Sequence, residues 1–217
     1  MNPHIIEWLN LLVRWIHVIV GVAWIGASFY FVWLENNLER DKEGLGKGVA
    51  GDLWAIHGGG FYYLNKYKVA PEKLPETLHW FKWEEYATWI TGICLLIVVY
   101  YMNAGVYMVD RAVMDLSAGA AVGVGVGSLV LGWLVYDVLC RTPLLKKPTL
   151  MLVVMFGFMT AMAYGLMQLL PARAAYIHVG AVIGTMMAGN VFFVIIPGQR
   201  RLVAAAEKGE EPDAWQG

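Results

Sequence analysis

The feature that most constrains this chain is a series of apolar segments, each long enough to cross a membrane as a helix. Such a helix needs about 20 apolar residues. Five stretches reach this length, at residues 9–34, 85–107, 117–139, 149–170 and 174–197. Hydrophobic residues make up 59% of the chain, charged residues 15%, and the mean hydropathy is +0.54, outside the usual soluble range. The sequence therefore predicts an all-α integral membrane protein with a bundle of five transmembrane helices.

The distribution of basic residues predicts how this bundle is oriented. Lysines and arginines gather after the first and third predicted spans and in the tail, at Arg40, Lys42, Lys47, Lys66, Lys68, Lys73, Lys82, Arg141, Lys146, Lys147, Arg200, Arg201 and Lys208. The other two loops hold only Arg111 and Arg173. By the positive-inside rule the N-terminus lies outside. We expect a transmembrane domain over residues 1–200, a large cytoplasmic loop at 35–84 between helices 1 and 2, and a polar cytoplasmic tail at 201–217.

Net charge and cysteine usage exclude two classes of partner. The formal charge of −1 gives no basic field for nucleic-acid phosphates, so nucleic-acid binding driven by net charge is excluded. Cys94 and Cys140 are the only cysteines and form no CxxCH motif, so this chain does not attach haem c covalently.

Two histidines lie inside predicted spans. His17 in the first and His178 in the fifth are expected at similar depth, because the two helices run in the same direction. Ionisable groups in the bilayer are costly and mark function by default. The pair could ligate the iron of a haem b, with Gly21 and Gly180 leaving space for the ring. The alternative is a histidine that only bridges helices by hydrogen bonds.

The large loop contains the stretch DLWAIHGGGFYYLNKY, in which His57 precedes three glycines. Glycine is favoured where the backbone takes a positive φ or approaches a ligand closely. A second loop histidine, His79, lies in ETLHWFKWEEY. Either histidine suits acid–base chemistry near neutral pH, and a second haem between them is the alternative. The tyrosines Tyr62, Tyr63 and Tyr67 are explained as interfacial anchors.

The third predicted helix carries Gly119, Gly123 and Gly127 on one face. Small residues at this spacing allow another backbone, or a flat cofactor, to approach closely. Close helix packing is the favoured interpretation.

Three stretches resemble the membrane-bound bacterial urate oxidase family: RWIHVIVGVAWIGASFYFVWLENNL, GDLWAIHGGGFYYLNKYKVAPEKLPETLHWFKWEEYATWITG and NVFFVIIPGQRRLVAA. The resemblance extends over essentially the whole chain. Family members join a multi-span domain to a C-terminal cytochrome c, in the bacterial inner membrane. The resemblance implies oxidation of urate at C5 to 5-hydroxyisourate, with electrons leaving through cytochrome c to the respiratory chain.

The resemblance, together with the loop pattern, predicts where urate binds. We expect His57 or His79 to accept the proton, and the substrate to contact the loop residues Trp54, Gly58, Gly59, Gly60, Phe61, Lys66 and Trp80. Aromatic rings would stack on the purine and lysines would attract its negative charge.

The sequence departs from the family in ending at EKGEEPDAWQG without a CxxCH. The expectation is therefore the N-terminal membrane domain, acting with a cytochrome c domain or a separate cytochrome c. A non-catalytic b-type cytochrome subunit is the first alternative. The motif HxxxGxxWxG beginning at His17 also resembles membrane haem proteins of other redox pathways, such as the protoporphyrinogen oxidase and copper-resistance families. A structural anchor without cofactor is the remaining alternative.

Overall fold

The computed structural model describes residues 3–40 and 43–210. The described chain forms seven α-helices and two strands, in the order α1 Pro3–Asn37, β1 Val49–His57, β2 Gly60–Tyr67, α2 Trp83–Leu95, α3 Ala104–Tyr107, α4 Ala118–Cys140, α5 Pro148–Leu169, α6 Ala172–Asn190 and α7 Ile196–Glu207. Two π-helical stretches, Leu96–Tyr101 and Val191–Ile195, continue α2 and α6, and a 3₁₀ turn at Pro143–Lys146 precedes α5.

Four helical runs are long and apolar enough to cross a membrane: His4–Asn37, Ala118–Cys140, Pro148–Leu169 and Ala172–Glu207. They correspond to four of the five predicted spans, which is consistent with a membrane location. The remaining predicted span, 85–107, which is the second along the chain, is not among them. Its helix runs from Trp83 only to Tyr101, since the backbone of Asn103 leaves the helical region with φ −122° and ψ 35°. A single helix to residue 107 is therefore a wrong prediction.

The segment predicted as a large loop contains an antiparallel β-hairpin, so the all-α prediction is wrong here. β1 and β2 pair from Val49 opposite Tyr67 to His57 opposite Gly60. The turn consists of Gly58 and Gly59, with φ of +59° and +80°. A two-residue turn with positive φ at both positions matches the twist of the strands and strongly favours glycine. The glycine run is thus explained by the turn itself.

The base of the hairpin is attached to the C-terminal end of α1. Glu39 and Asp52 exchange backbone hydrogen bonds of 2.9 and 3.1 Å, and the Tyr63 hydroxyl donates to the buried Asp52 carboxylate at 2.6 Å. The Lys66 ammonium forms an ion pair with Glu35 at 2.5 Å. These contacts fix the hairpin to the C-terminal end of α1.

The best-packed part of the bundle lies between α4 and α6. Gly125 lies against His178, and Gly132 against Val182: a Cβ on either glycine would come within 2.5 and 2.4 Å of the partner side chain. The expected close approach at Gly119, Gly123 and Gly127 is wrong, because a Cβ at these three positions meets no described atom within 4 Å. Close packing of α4 occurs, but on the opposite face of the helix.

Candidate functional site

A cavity of about 520 Å³ lies between α1, the helical run of α2 and α6. Its polar and aromatic lining comprises Arg14, His17, Trp24, Thr88, Trp89, Tyr100, Arg173 and Thr185. Gly92 of α2 and Gly180, Ala181 and Gly184 of α6 supply small residues to the wall. The volume falls in the range of roughly 300–1,000 Å³ that is usual for small-molecule sites. We refer to it as the α1–α2–α6 cavity.

His17 projects into this cavity from α1 and is held by α2. Its Nδ1 lies 3.1 Å from the Thr88 carbonyl oxygen and 2.9 Å from the Thr91 Oγ1. A carbonyl only accepts, and the single Thr91 hydroxyl proton is already directed to backbone carbonyls, at 2.7 Å from that of Ala87 and 3.0 Å from that of Thr88. The Nδ1 of a neutral His17 therefore carries the proton and donates it. The lone pair is left on Nε2, for which no described residue supplies a hydrogen-bond partner.

Gly92 sets the position of this imidazole. A Cβ at residue 92 would lie 3.2 Å from the His17 Cε1, closer than ordinary van der Waals contact. The ring of His17 thus packs directly on the backbone of α2, next to the threonines that bind its Nδ1. The contact restricts the direction in which Nε2 points.

Two arginines give the cavity a positive field. Arg14 precedes His17 by three residues, which places both on one helix face, and its guanidinium donates to the Asn10 side chain at 3.1 Å. Arg173 lies in the first turn of α6 with its guanidinium 5.5 Å from the Tyr107 ring centre. Within the described chain neither arginine forms an ion pair with a carboxylate.

Two indoles form flat apolar surfaces in the same cavity. Trp24 comes from α1, two turns after His17, and Trp89 from α2. The Trp89 indole N–H donates to the Thr185 hydroxyl at 3.1 Å, which fixes its ring relative to α6. The cavity thus combines a base, two cations and aromatic faces.

A second, larger space of about 840 Å³ adjoins this cavity along Trp89, Ile93 and Thr185. It lies between α2, α4 and the π-helical end of α6, and its remaining lining is aliphatic and aromatic. No charged side chain of the described residues lines it, so it offers no counterpart for an anionic substrate.

His178 lies outside the α1–α2–α6 cavity. It is 0% exposed, its Nδ1 donates to the Ala174 carbonyl at 2.8 Å, and its Nε2 accepts from the Tyr101 hydroxyl at 3.2 Å. The ring stacks on Tyr101 with 5.8 Å between centroids. These bonds correspond to the helix-bridging alternative considered for the intramembrane histidines.

The two histidines do not fit one haem in this arrangement. His17 contacts Thr91, whereas His178 contacts Tyr101, ten residues further along the same helical run, which is about 15 Å of helical rise. The His178 Nε2 also abuts Gly125, where even a methyl group would come within 2.5 Å, so no porphyrin fits there. Ligation of one iron by both rings would require His178 to leave its present bonds. A haem b on this chain stays a prediction.

The two loop histidines are not among the residues that line this cavity. His57 ends β1 at the tip of the hairpin and is exposed. His79 lies in the segment before α2, with its ring edge to face on Phe81 at 4.6 Å. Among the described residues no contact joins His57 to His79. Their catalytic roles stay predictions.

The predicted substrate contacts of the loop likewise have structural partners. Trp54 stacks on Tyr63 at 4.7 Å, and Trp54 and Phe61 are 62% and 76% exposed. The Lys66 side chain is engaged by Glu35. Trp80 has the Lys82 ammonium 6.0 Å from its ring centre. Trp54, Phe61 and the turn glycines lie on the exposed hairpin, and none of the predicted substrate contacts lines either cavity.

Four cavity residues were missed by the sequence analysis: Arg14, Trp24, Trp89 and Arg173. Arg14 could have been identified from the sequence, because an arginine inside a membrane-length apolar helix, one turn before a histidine, is costly without a function. The indoles gave no such signal, since tryptophan is common at both membrane interfaces. Across residues 3–40 and 43–210, no cluster of three or more His, Cys, Asp or Glu side chains could hold a metal ion.

Comparison with known proteins identifies one similarity. A family model described as urate oxidase N-terminal matches residues 3–217, nearly the whole chain. No curated protein and no solved structure matches the chain.

Proposed function

Because this chain belongs to the urate oxidase N-terminal family, we propose that it is the membrane part of an enzyme that oxidises urate. The product is 5-hydroxyisourate, and the electrons pass to a cytochrome c and the respiratory chain. The observation that carries the proposal, beside the family, is His17. A histidine with a fixed Nδ1 proton and a free Nε2 lone pair, in a cavity between helices, is suited to accept the proton of a water that attacks a bound substrate.

The reaction balances with water and two electrons. Urate and one water give 5-hydroxyisourate, two protons and two electrons. Loss of two electrons and of one ring N–H proton, which passes to solvent, makes C5 of urate electrophilic. A bond then forms between the water oxygen and C5, and the proton lost by that water passes to the Nε2 of His17. A cytochrome c takes the electrons in two one-electron steps. The chain's own residues bind the purine, hold it beside His17 and remove the proton.

We place this reaction in the α1–α2–α6 cavity rather than on the hairpin. The cavity combines a base, positive charge and indole rings in one concave space, whereas the hairpin residues form an exposed surface. The apolar helices around it lower the local dielectric, which strengthens interactions with a charged substrate. In this proposal the hairpin aromatics serve as interfacial anchors.

A b-type cytochrome subunit is the second candidate function, and it is supported by the same Nε2 atom of His17. The free Nε2 of His17 is the ligand atom that a haem iron would take, with Nδ1 hydrogen bonded to a backbone carbonyl in the manner common for iron or zinc ligands. A haem there would supply one-electron chemistry. The His178 bonds argue against that residue as the opposite ligand.

The proposed function also concerns location and topology. We propose the bacterial inner membrane, the N-terminus outside and the polar end of α7 in the cytoplasm. We propose that the helical run Trp83–Tyr101 also crosses the membrane, which makes five crossings in total. It lines the cavity together with α1 and α6.

Urate-dependent electron transfer tests the proposal. The full chain in lipid nanodiscs is mixed with urate and either ferricytochrome c or ferricyanide. We expect urate loss, 5-hydroxyisourate formation and reduction of two acceptor molecules per urate. Urate that stays unchanged with both acceptors would contradict the enzyme proposal. A reduced-minus-oxidised haem spectrum in the same inactive sample would support the cytochrome alternative.

A further inference from the structure

We propose that the α1–α2–α6 cavity is a binding site for a planar organic anion, held by Arg14 and Arg173 and stacked between apolar walls that include Trp24 and Trp89. The inference rests on the proposed function and names the ligand class and the binding residues of that site. It also predicts that the purine binds as its anion.

The first argument is charge. Two exposed guanidinium groups line one cavity, Arg14 from a membrane-length helix and Arg173 from the first turn of another, and no carboxylate of the described chain pairs with either. Charges in such an environment are retained when a counter-charge or a water-filled cavity accompanies them. By contrast, Arg111 and Arg141 are paired with aspartates four residues away. A bound anion would complete the electrostatics of Arg14 and Arg173.

The second argument is the chemistry of the positive groups. A guanidinium is planar and presents its N–H donors in a fork, which suits the adjacent oxygen and nitrogen acceptors along the edge of an anionic purine. The hydroxyl of Thr185 and the free Nε2 of His17 add polar partners in the same space. A substrate with alternating N–H and C=O groups requires both donors and acceptors.

The third argument is shape. The indoles of Trp24 and Trp89 give flat surfaces, and base stacking on aromatic side chains is a general mode of purine binding. On the α6 side, Gly180 and Gly184 leave the wall open, because a Cβ at either position meets no atom of the described residues within 4 Å. The two glycines thus leave space that a flat ligand can fill.

Equilibrium binding tests the charge requirement. Binding of radiolabelled urate to the full chain in nanodiscs, without electron acceptor, is compared with binding of the neutral purine hypoxanthine. We expect urate to bind at least about 10-fold more tightly. Arg14→Gln and Arg173→Gln should each weaken urate binding by about 10-fold and leave hypoxanthine binding nearly unchanged. Arg111→Gln, which removes an exposed arginine outside the cavity, is the matched control and should bind urate normally.

A filled cavity provides the second variant set. Gly184→Leu places a side chain in open space of the cavity, whereas Gly157→Leu places the same side chain in open space on α5. Both variants should keep the helical circular dichroism of the parent chain. Only Gly184→Leu should lose urate binding.

Each outcome separates this inference from the proposed function. Unchanged urate affinity in Arg14→Gln, Arg173→Gln and Gly184→Leu would overturn the binding site, whether or not the parent chain oxidises urate. Urate that binds with this charge dependence but is not oxidised would overturn the enzyme proposal and leave the site standing. Equal weakening by the Arg111→Gln control would show a general charge effect and overturn the site assignment.

Discussion

Individual hydrogen bonds at His17 decide what this residue can do. The Thr91 hydroxyl and the Thr88 carbonyl together hold the proton on Nδ1, so that Nε2 carries a lone pair and no proton. An isolated histidine in an apolar helix would not have a fixed tautomer. The sequence indicated that His17 was a functional candidate, but the choice between its nitrogens depends on α2, more than 70 residues away in the chain.

Thr91→Val should reduce the rate of urate oxidation by about 10-fold, less than the roughly 10²–10⁴-fold that an acid–base group itself contributes, because Thr91 only positions that group. The valine removes one of two acceptors for the Nδ1 proton and lets the ring take other orientations. Thr91→Ser keeps the hydroxyl and should restore most of the rate. The test compares kcat and the pH profile of the variants. Full activity in Thr91→Val, or an equal loss in Thr91→Ser, would contradict this role of the hydroxyl.

Gly125→Ala should destabilise the protein by about 1–3 kcal/mol, because the added methyl overlaps the buried His178 ring and forces a shift in the core. Gly123→Ala on the same helix is the control. Its Cβ meets no described atom within 4 Å, so alanine should be neutral or stabilise by up to about 1 kcal/mol. Thermal unfolding in detergent measures both. If Gly123→Ala were the more destabilising variant, the packing face assigned to α4 would be wrong.

At the scale of elements, the hairpin shows what the sequence could and could not supply. The strands β1 and β2 are rich in aromatic and branched residues around Gly58-Gly59, which is a strong hairpin signal. The same aromatic residues are also typical of a membrane interface, and because they were interpreted in that way the two strands were not predicted. The predicted helix over 85–107 likewise missed its break at Asn103, because no proline or glycine stands at that position.

Alanine at Gly58 and Gly59 should disturb the hairpin without abolishing urate oxidation. Both glycines have positive φ, which alanine adopts at a cost of roughly 1–2 kcal/mol each. If the reaction takes place in the α1–α2–α6 cavity, activity per folded molecule should stay within about twofold, a shift in barrier of a few tenths of a kcal/mol. Loss of activity in a protein that keeps its helical circular dichroism and thermal stability would return the substrate site to the hairpin.

Four of the five predicted spans correspond to helices long and apolar enough to cross a membrane, since length and hydropathy can be read directly from the sequence. The cavity could not be predicted, because it depends on which faces of α1, α2 and α6 meet. A residue such as Trp89 has the same composition signal whether it faces lipid, protein or substrate. The pairing of helices is a property of the whole bundle.

Topology at the scale of the whole molecule can be tested by chemical labelling. Single cysteines placed at Lys47 and Arg111, in a background lacking Cys94 and Cys140, should react with a membrane-impermeant maleimide from opposite sides of intact cells. The residue 111 cysteine should label from outside and the residue 47 cysteine only after lysis. Labelling of both from the same side would contradict a crossing by the Trp83–Tyr101 run.

If urate is oxidised beside His17 in the α1–α2–α6 cavity, substitution of His17 should abolish activity and substitution of the hairpin histidine should not. Urate-dependent reduction of ferricyanide is measured in nanodiscs for the parent chain, His17→Gln and His57→Gln, at equal amounts of folded protein. We predict that His17→Gln lowers kcat at least about 100-fold, the loss expected for a general base, while His57→Gln leaves it nearly unchanged. Full activity in His17→Gln together with loss in His57→Gln would contradict a reaction in the α1–α2–α6 cavity and would favour the hairpin as its site.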